Sequence, residues 1–138
     1  MPLKIQETIY HPGHYRVALA VNTPLELPPD PETKTRPSHR GEWDRPWSLS
    51  ALIEAPAQPP VLADGLFMHY EREPTPIEFE AEIPVPNINC ERCTVQVIQW
   101  MAEHAYNNPG AYSCHHCAHV KITANDSLPL DEGWPAQE

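Results

Sequence analysis

The sequence has few basic residues and no long apolar run. Nine lysines and arginines stand against nineteen aspartates and glutamates, which gives a formal net charge of −10. This excess of negative charge argues against nucleic acid or an anionic membrane surface as a partner. No apolar stretch approaches the roughly 20 residues that cross a bilayer, and MPLKIQETIY lacks the basic and apolar regions of a signal peptide. We therefore expect no nucleic-acid partner, no membrane insertion and no export signal in this chain.

Glycine is also scarce, whereas proline is abundant. The 138 residues contain five glycines and eighteen prolines, and so much proline is unfavourable for long helices. A chain of this length has room for one domain with a modest core. The composition therefore predicts a single all-β domain over residues 1–128, followed by an acidic tail at 129–138 that we expect to be disordered. The oligomeric state is not defined by the sequence.

Short segments with strand character recur along the chain without a convincing helix between them. Ile77, Phe79, Ala81 and Ile83 alternate with glutamates, the pattern of a half-buried strand. YRVALAV at 15–21 is a short apolar run, which is typical of a buried strand. Six predicted strands favour an antiparallel β-sandwich of the immunoglobulin or fibronectin III type. They cover residues 3–10, 15–21, 61–70, 76–86, 93–101 and 117–125.

Residues 22–60 interrupt this pattern. They contain nine prolines, and such a composition does not sustain regular structure. We expect a long surface loop, with Leu49, Leu52 and Ile53 in one helical turn that docks on the body.

The four cysteines form two CxxC pairs. Cys90 and Cys93 are separated by twenty residues from Cys114 and Cys117. This spacing is typical of a zinc site with four thiolates, in which His115 or His116 could replace a cysteine. Disulfides in an exported domain are the alternative, and the spacing leaves both open.

A tight turn, His11-Pro12-Gly13-His14, connects the first two predicted strands. Imidazole is a good copper ligand, and a turn at the rim of a sandwich presents its side chains to solvent. Ordinary surface histidines would give the same pattern.

Four segments together point to a known family. They are ETIYHPGHYRVALAVN, PPVLADGLFMHY, IPVPNINCERCTVQVIQWM and YSCHHCAHVKI. The chain resembles the C-terminal two thirds of small bacterial proteins related to the lytic polysaccharide monooxygenases. The resemblance implies a fibronectin-like or immunoglobulin-like sandwich, a copper ion held by a histidine brace, and oxidative cleavage of chitin, cellulose or a similar polysaccharide. It also implies a secreted or periplasmic location.

The resemblance assigns roles to individual residues. His11 corresponds to the internal histidine of the brace, and His14 is a neighbouring residue near the metal or substrate. Gln96, or Gln99 if the register differs, would hydrogen-bond an oxygen species, and Tyr112 is the nearest match to the residue axial to copper. The histidine that begins the mature relatives has no counterpart after Met1, so we expect the enzyme to lack activity as written.

Two non-catalytic functions remain open from the sequence. The cysteines could staple an interaction module through zinc or disulfides. Alternatively, a metal-free sandwich could bind carbohydrate through exposed aromatic side chains. The candidates for such stacking are Trp43, Trp47 and Trp134.

Overall fold

A computed structural model describes residues 1–36, 47–104 and 113–137, with Trp47 described by its backbone alone. About half of the described residues are strand and 3% are helix, and the sheets are antiparallel. The predicted all-β class is therefore confirmed, and the arrangement is consistent with a sandwich. The immunoglobulin or fibronectin III assignment stays a prediction. Among the described residues, no helix is long and apolar enough to cross a membrane.

The described residues form eight strands and one turn of 3-10 helix at Pro24–Glu26. The strands are β1 (Pro2–Glu7), β2 (Gly13–Ala20), β3 (Thr33–Arg36), β4 (Trp47–Ala51), β5 (Val61–His69), β6 (Ile77–Glu82), β7 (Cys90–Met101) and β8 (Ser113–Ile122).

The main sheet has four strands in the order β5-β2-β7-β8. The central strand β2 is buried along its whole length, as its continuous apolar run predicts. It pairs with β7 from Gly13 opposite Met101 to Ala20 opposite Thr94. β7 pairs on its other side with β8, which is exposed over most of its length.

A second sheet of two strands, β1 and β6, packs on one face of the main sheet. In β6 the apolar residues are half-buried and the three glutamates are exposed, as their alternation predicts. Leu3 and Ala81 pack against the buried cluster between the sheets. That cluster supplies the main core, and its buried members are Val17, Leu19, Val21, Leu62, Ile83, Ile88, Cys90, Cys93 and Val95.

The proline-rich segment differs from the prediction. It contains the antiparallel hairpin β3–β4, with Thr33 opposite Ala51, so the helical turn predicted around Leu49 is wrong. The Ser48 hydroxyl donates to the Met101 carbonyl at 2.6 Å, and Ala51 packs against Trp100. Tertiary contacts with the end of β7 therefore order strands that proline content argues against.

The acidic tail lies on the sandwich. Trp134 packs against the main core, and the Asp131 N–H donates to the Asn87 carbonyl at 3.0 Å. The Asn22 side-chain amide donates to the Ala136 carbonyl at 3.0 Å. The tail expected to be disordered is thus described through residue 137 with specific contacts.

Candidate functional site

The chain changes direction between β1 and β2, at residues 8–12, and this turn holds His11 at one end of the sandwich. The tight turn predicted over residues 11–14 is wrong, because Gly13 and His14 belong to β2 and the two strands lie in different sheets. Gly13 begins β2 with a φ of +152°, and a Cβ atom there would lie 2.0 Å from the Trp100 carbonyl oxygen. The neighbouring Pro12 carbonyl accepts the Ala102 N–H at 2.6 Å. Close contact between this turn and the end of β7 therefore sets the position of His11.

His11 lies beside a second imidazole. Its ring centroid is 5.3 Å from that of His104, with 48° between the ring planes. His104 follows β7, and Glu103 before it adopts a φ of +53° while its N–H donates to the Ser48 carbonyl. Burial, and then the nearby charge of His11, lower the pKa of His104. A lowered pKa favours the neutral imidazole that binds metals.

A buried carboxylate supports the base of the turn. Glu7, which is 4% exposed, accepts from the His11 backbone N–H at 2.9 Å, the Tyr15 hydroxyl at 2.7 Å and the Gln99 side-chain amide at 3.0 Å. His69 Nε2 lies 3.1 Å from its Oε2 atom. Four polar groups from separate segments thus converge on one carboxylate, as a buried charge requires.

The Tyr15 hydroxyl is held in its protonated form. Burial raises its pKa, and the hydrogen bond and charge of Glu7 raise it further. The Tyr15 ring also contacts the rings of Phe67, Phe79 and His69 at centroid distances between 5.8 and 6.4 Å, and it is stacked only with that of His69. Tyr15 therefore serves as a rigid donor to Glu7 rather than as an acid.

Aromatic side chains surround the same end of the sandwich. Tyr10 contacts His69 edge-on at 5.9 Å, and the Arg72 guanidinium lies 5.6 Å from the Tyr10 ring centre. Tyr70 is 51% exposed. We call the group formed by Tyr10, His11 and His104 the rim.

His14 does not lie at the rim. Its side chain is 1% exposed, its ring lies 5.0 Å from that of Trp100, and Nε2 is 3.8 Å from Asp64 Oδ1. Neither ring nitrogen has a hydrogen-bond partner. Burial lowers the pKa of His14, although the Asp64 charge opposes the shift. The residue expected near metal or substrate is therefore an interior side chain.

The two glutamines lie on opposite faces of β7, because they are three positions apart along the strand. Gln99 donates to Glu7 and so belongs to the support of the rim. Gln96 lies opposite Cys117, and its Oε1 atom is buried without a partner. Gln99, which the sequence offered as the alternative to Gln96, is therefore the glutamine connected to the rim through Glu7. Tyr112 lies outside the described residues.

The cysteines separate into one disulfide and two free thiols. Cys90 and Cys93 are buried and bonded to each other, in agreement with the disulfide alternative. Cys114 and Cys117 are exposed on β8, opposite Gln99 and Gln96, and their odd spacing directs them to opposite faces. The four sulfurs are not gathered around one point, and the described residues contain no group of three or more ligands able to hold a metal ion.

Of the three tryptophans proposed for carbohydrate stacking, the structure describes only the side chain of Trp134. Trp134 is half-buried against the core. Trp43 and the side chain of Trp47 fall outside what the structure describes.

Sequence reasoning missed His104, Glu7 and His69. Glu7 carries a signal, because it follows Leu3 and Ile5 at the inward positions of an alternating strand. A carboxylate at such a position demands buried partners. His104 carries no comparable signal, since its approach to His11 depends on the pairing of β2 with β7.

Comparisons with known proteins give no assignment. The chain matches no family model, no curated protein and no solved structure. The functional argument therefore depends on the residues of the rim and on the resemblance described above.

Proposed function

We propose that the rim binds one copper ion and that the protein is a copper-dependent oxidoreductase acting on polysaccharide. The observation that carries this proposal is the pair of imidazoles, His11 and His104, with ring centroids 5.3 Å apart. In this proposal His104 supplies the second imidazole of the copper site.

The donor set fits copper. Imidazole nitrogen is a preferred ligand for Cu(II), and histidine ligands are normally oriented by contacts around them. Glu7 restrains the backbone of His11, and the lowered pKa of His104 favours its neutral form. Bound copper would activate an oxygen co-substrate for hydroxylation at a glycosidic bond.

The surroundings of the pair support a saccharide substrate. Tyr10, which precedes His11 in the chain, offers an aromatic face beside the imidazoles, and such faces stack on sugar rings through their apolar sides. Tyr70, directly after β5, is also exposed. Arg72 over Tyr10 holds that ring in place and offers donors to sugar hydroxyls. These side chains would bind and orient the chain to be cleaved.

Copper titration followed by electron paramagnetic resonance tests the metal site. We expect nitrogen ligation in the native protein and a loss of affinity of about tenfold or more in His11→Ala and in His104→Ala, since each removes one donor. His119→Ala, at an exposed position on β8, is the matched control and should retain native affinity. Unchanged affinity in both rim variants would refute the copper site.

The reaction is tested on chitin and cellulose with a reductant and hydrogen peroxide. Oxidised oligosaccharides should be released by the copper-loaded protein and not by His11→Ala. Tight copper binding without any oxidised product would show that the site is not an oxidative enzyme for these substrates.

A disulfide-stapled carbohydrate-binding module is the second candidate, because Cys90 and Cys93 form a disulfide. It predicts retention on insoluble polysaccharide without copper and no effect of His104→Ala on that retention.

A further inference from the structure

β1 has one paired edge and one open edge. β6 pairs with it from Pro2 to Glu7, whereas no other strand among the described residues pairs with it. An open strand edge presents backbone donors and acceptors that can bind another extended chain.

The register identifies the backbone groups at the open edge. Met1 and Ile83 exchange two hydrogen bonds, each 2.8 Å long. Because hydrogen-bonded pairs alternate along an antiparallel ladder, Leu3, Ile5 and Glu7 bond to β6. The N–H and C=O groups of Lys4 and Gln6 therefore point away from β6.

A cavity of about 470 Å³ runs along this edge. One wall is formed by residues 3–9, and the opposite wall includes Val97 and Gln99 of β7 with Cys114 and His116 of β8. A second cavity of about 260 Å³ lies over Val95, Val120 and Ile122 of the same two strands. We call the open edge of β1 with these two cavities the slot.

The slot has the shape that a β-strand requires. β1 has six residues, about 20 Å of extended chain. A strand beside it would bond to Lys4 and Gln6, and every second side chain would point into a cavity. It would also cover the face of β8 that carries Cys114, His116 and Ala118, which are exposed.

We propose that the slot binds an extended peptide segment of a partner protein by β-augmentation. The walls of the two cavities favour apolar side chains at the inward positions of that segment. Its outward side chains would lie beside Lys4 and Gln6 of β1. Lys4 pairs with Glu80 at 3.3 Å, and the same face of β6 also carries the exposed Glu78 and Glu82, so glutamates outnumber lysine there. Together with the net charge of −10, these glutamates favour lysine or arginine at the outward positions.

A capped synthetic peptide of about eight residues, alternating valine and lysine, is the probe. Its binding is measured by calorimetry, and amide exchange is followed by NMR. The expected result is saturable binding that slows exchange of the Lys4 and Gln6 amide protons. A peptide of the same composition with its valines and lysines in separate blocks is the control for charge alone, and it should bind at least tenfold more weakly.

Gln6→Pro tests the proposed hydrogen bond from the Gln6 backbone N–H to the peptide. Proline removes this N–H, which does not bond to β6. Binding should weaken about tenfold, whereas Gln6→Ala, which keeps the N–H, should bind within about twofold of the native protein. Equal binding of the two peptides, or equal binding by both variants, would overturn the proposal. The proposal would also be overturned if the protein, without peptide, formed a dimer at high concentration that slows exchange of the same two amide protons. His11 also lines the first cavity, but copper is absent from these measurements, so their outcome does not depend on whether His11 binds copper.

Discussion

At the scale of single residues, Glu7 is the side chain on which most of the rim depends. It lies at an inward position of β1 and is 4% exposed, yet it accepts hydrogen bonds from Tyr15, Gln99 and the His11 backbone. A buried charge is tolerated when such donors satisfy it. Its partners come from the adjacent turn and β2 and from β5 and β7, so the carboxylate joins the start of the chain to two strands that are distant in sequence.

Replacing this carboxylate should therefore destabilise the fold. In Glu7→Gln an amide nitrogen faces groups that are themselves donors, so at least one hydrogen bond to a charged group is lost. We expect the free energy of unfolding to fall by about 2 kcal/mol, measured by urea denaturation. Glu78→Gln, at an exposed site on the neighbouring strand, is the control and should change it by less than about 0.5 kcal/mol. Equal effects in the two variants would contradict the role of Glu7.

At the scale of elements, the junction of β1, β2 and β7 determines the rim. At Gly13, β2 approaches β7 so closely that a Cβ atom would clash with the Trp100 carbonyl oxygen. The Pro12 carbonyl bonds to Ala102 just beyond β7, which brings His104 to His11. The absence of a side chain at one position thus allows two histidines from separate segments to meet.

Gly13→Ala should accordingly separate these strands. The added methyl group forces a backbone shift, and we expect a loss of about 3 kcal/mol or more in unfolding free energy, measured by thermal denaturation. Gly133→Ala is the control, because its Cβ atom would meet only Pro59, at 3.7 Å. Its positive φ of +86° should cost about 1 kcal/mol. A tolerated Gly13→Ala would show that this contact does not hold the turn.

At the scale of the whole molecule, stability should depend on pH through buried histidines. Burial lowers the pKa of His14 and of His104 from 6.5, so the unfolded chain takes up these protons first as pH falls. The unfolded state then binds more protons than the folded state, and stability decreases. Asp64 beside His14 limits this loss but does not reverse the shift.

We therefore expect the free energy of unfolding to fall as pH drops below about 6.5. His14→Gln should flatten this dependence, since it removes one of the two titrating groups, whereas His119→Gln at an exposed site should leave it unchanged. Denaturation at a series of pH values measures the slope. An unaltered slope in His14→Gln would exclude His14 as a source of the effect.

The sequence predicted the strands better than it predicted which parts of the chain pack against them. The alternation in β6 and the apolar run in β2 identified both strands, because side-chain periodicity is a local property. The β3–β4 hairpin was missed, since contacts of Ser48 and Ala51 with the end of β7 outweigh the local effect of proline. The placement of the tail was missed for a similar reason, because Trp134 gains burial only against the assembled core.

By itself, the sequence determined that this is an all-β chain of strongly negative charge with a histidine between its first two strands. Only the tertiary structure decided that His14 is interior, that His104 meets His11, and that two cysteines are joined while two remain free. The physical reason is the distance along the sequence over which each effect acts. Strand periodicity and turn chemistry act over a few neighbouring residues, whereas a ring pair, a buried carboxylate or an open strand edge depends on which strands pair and in which register.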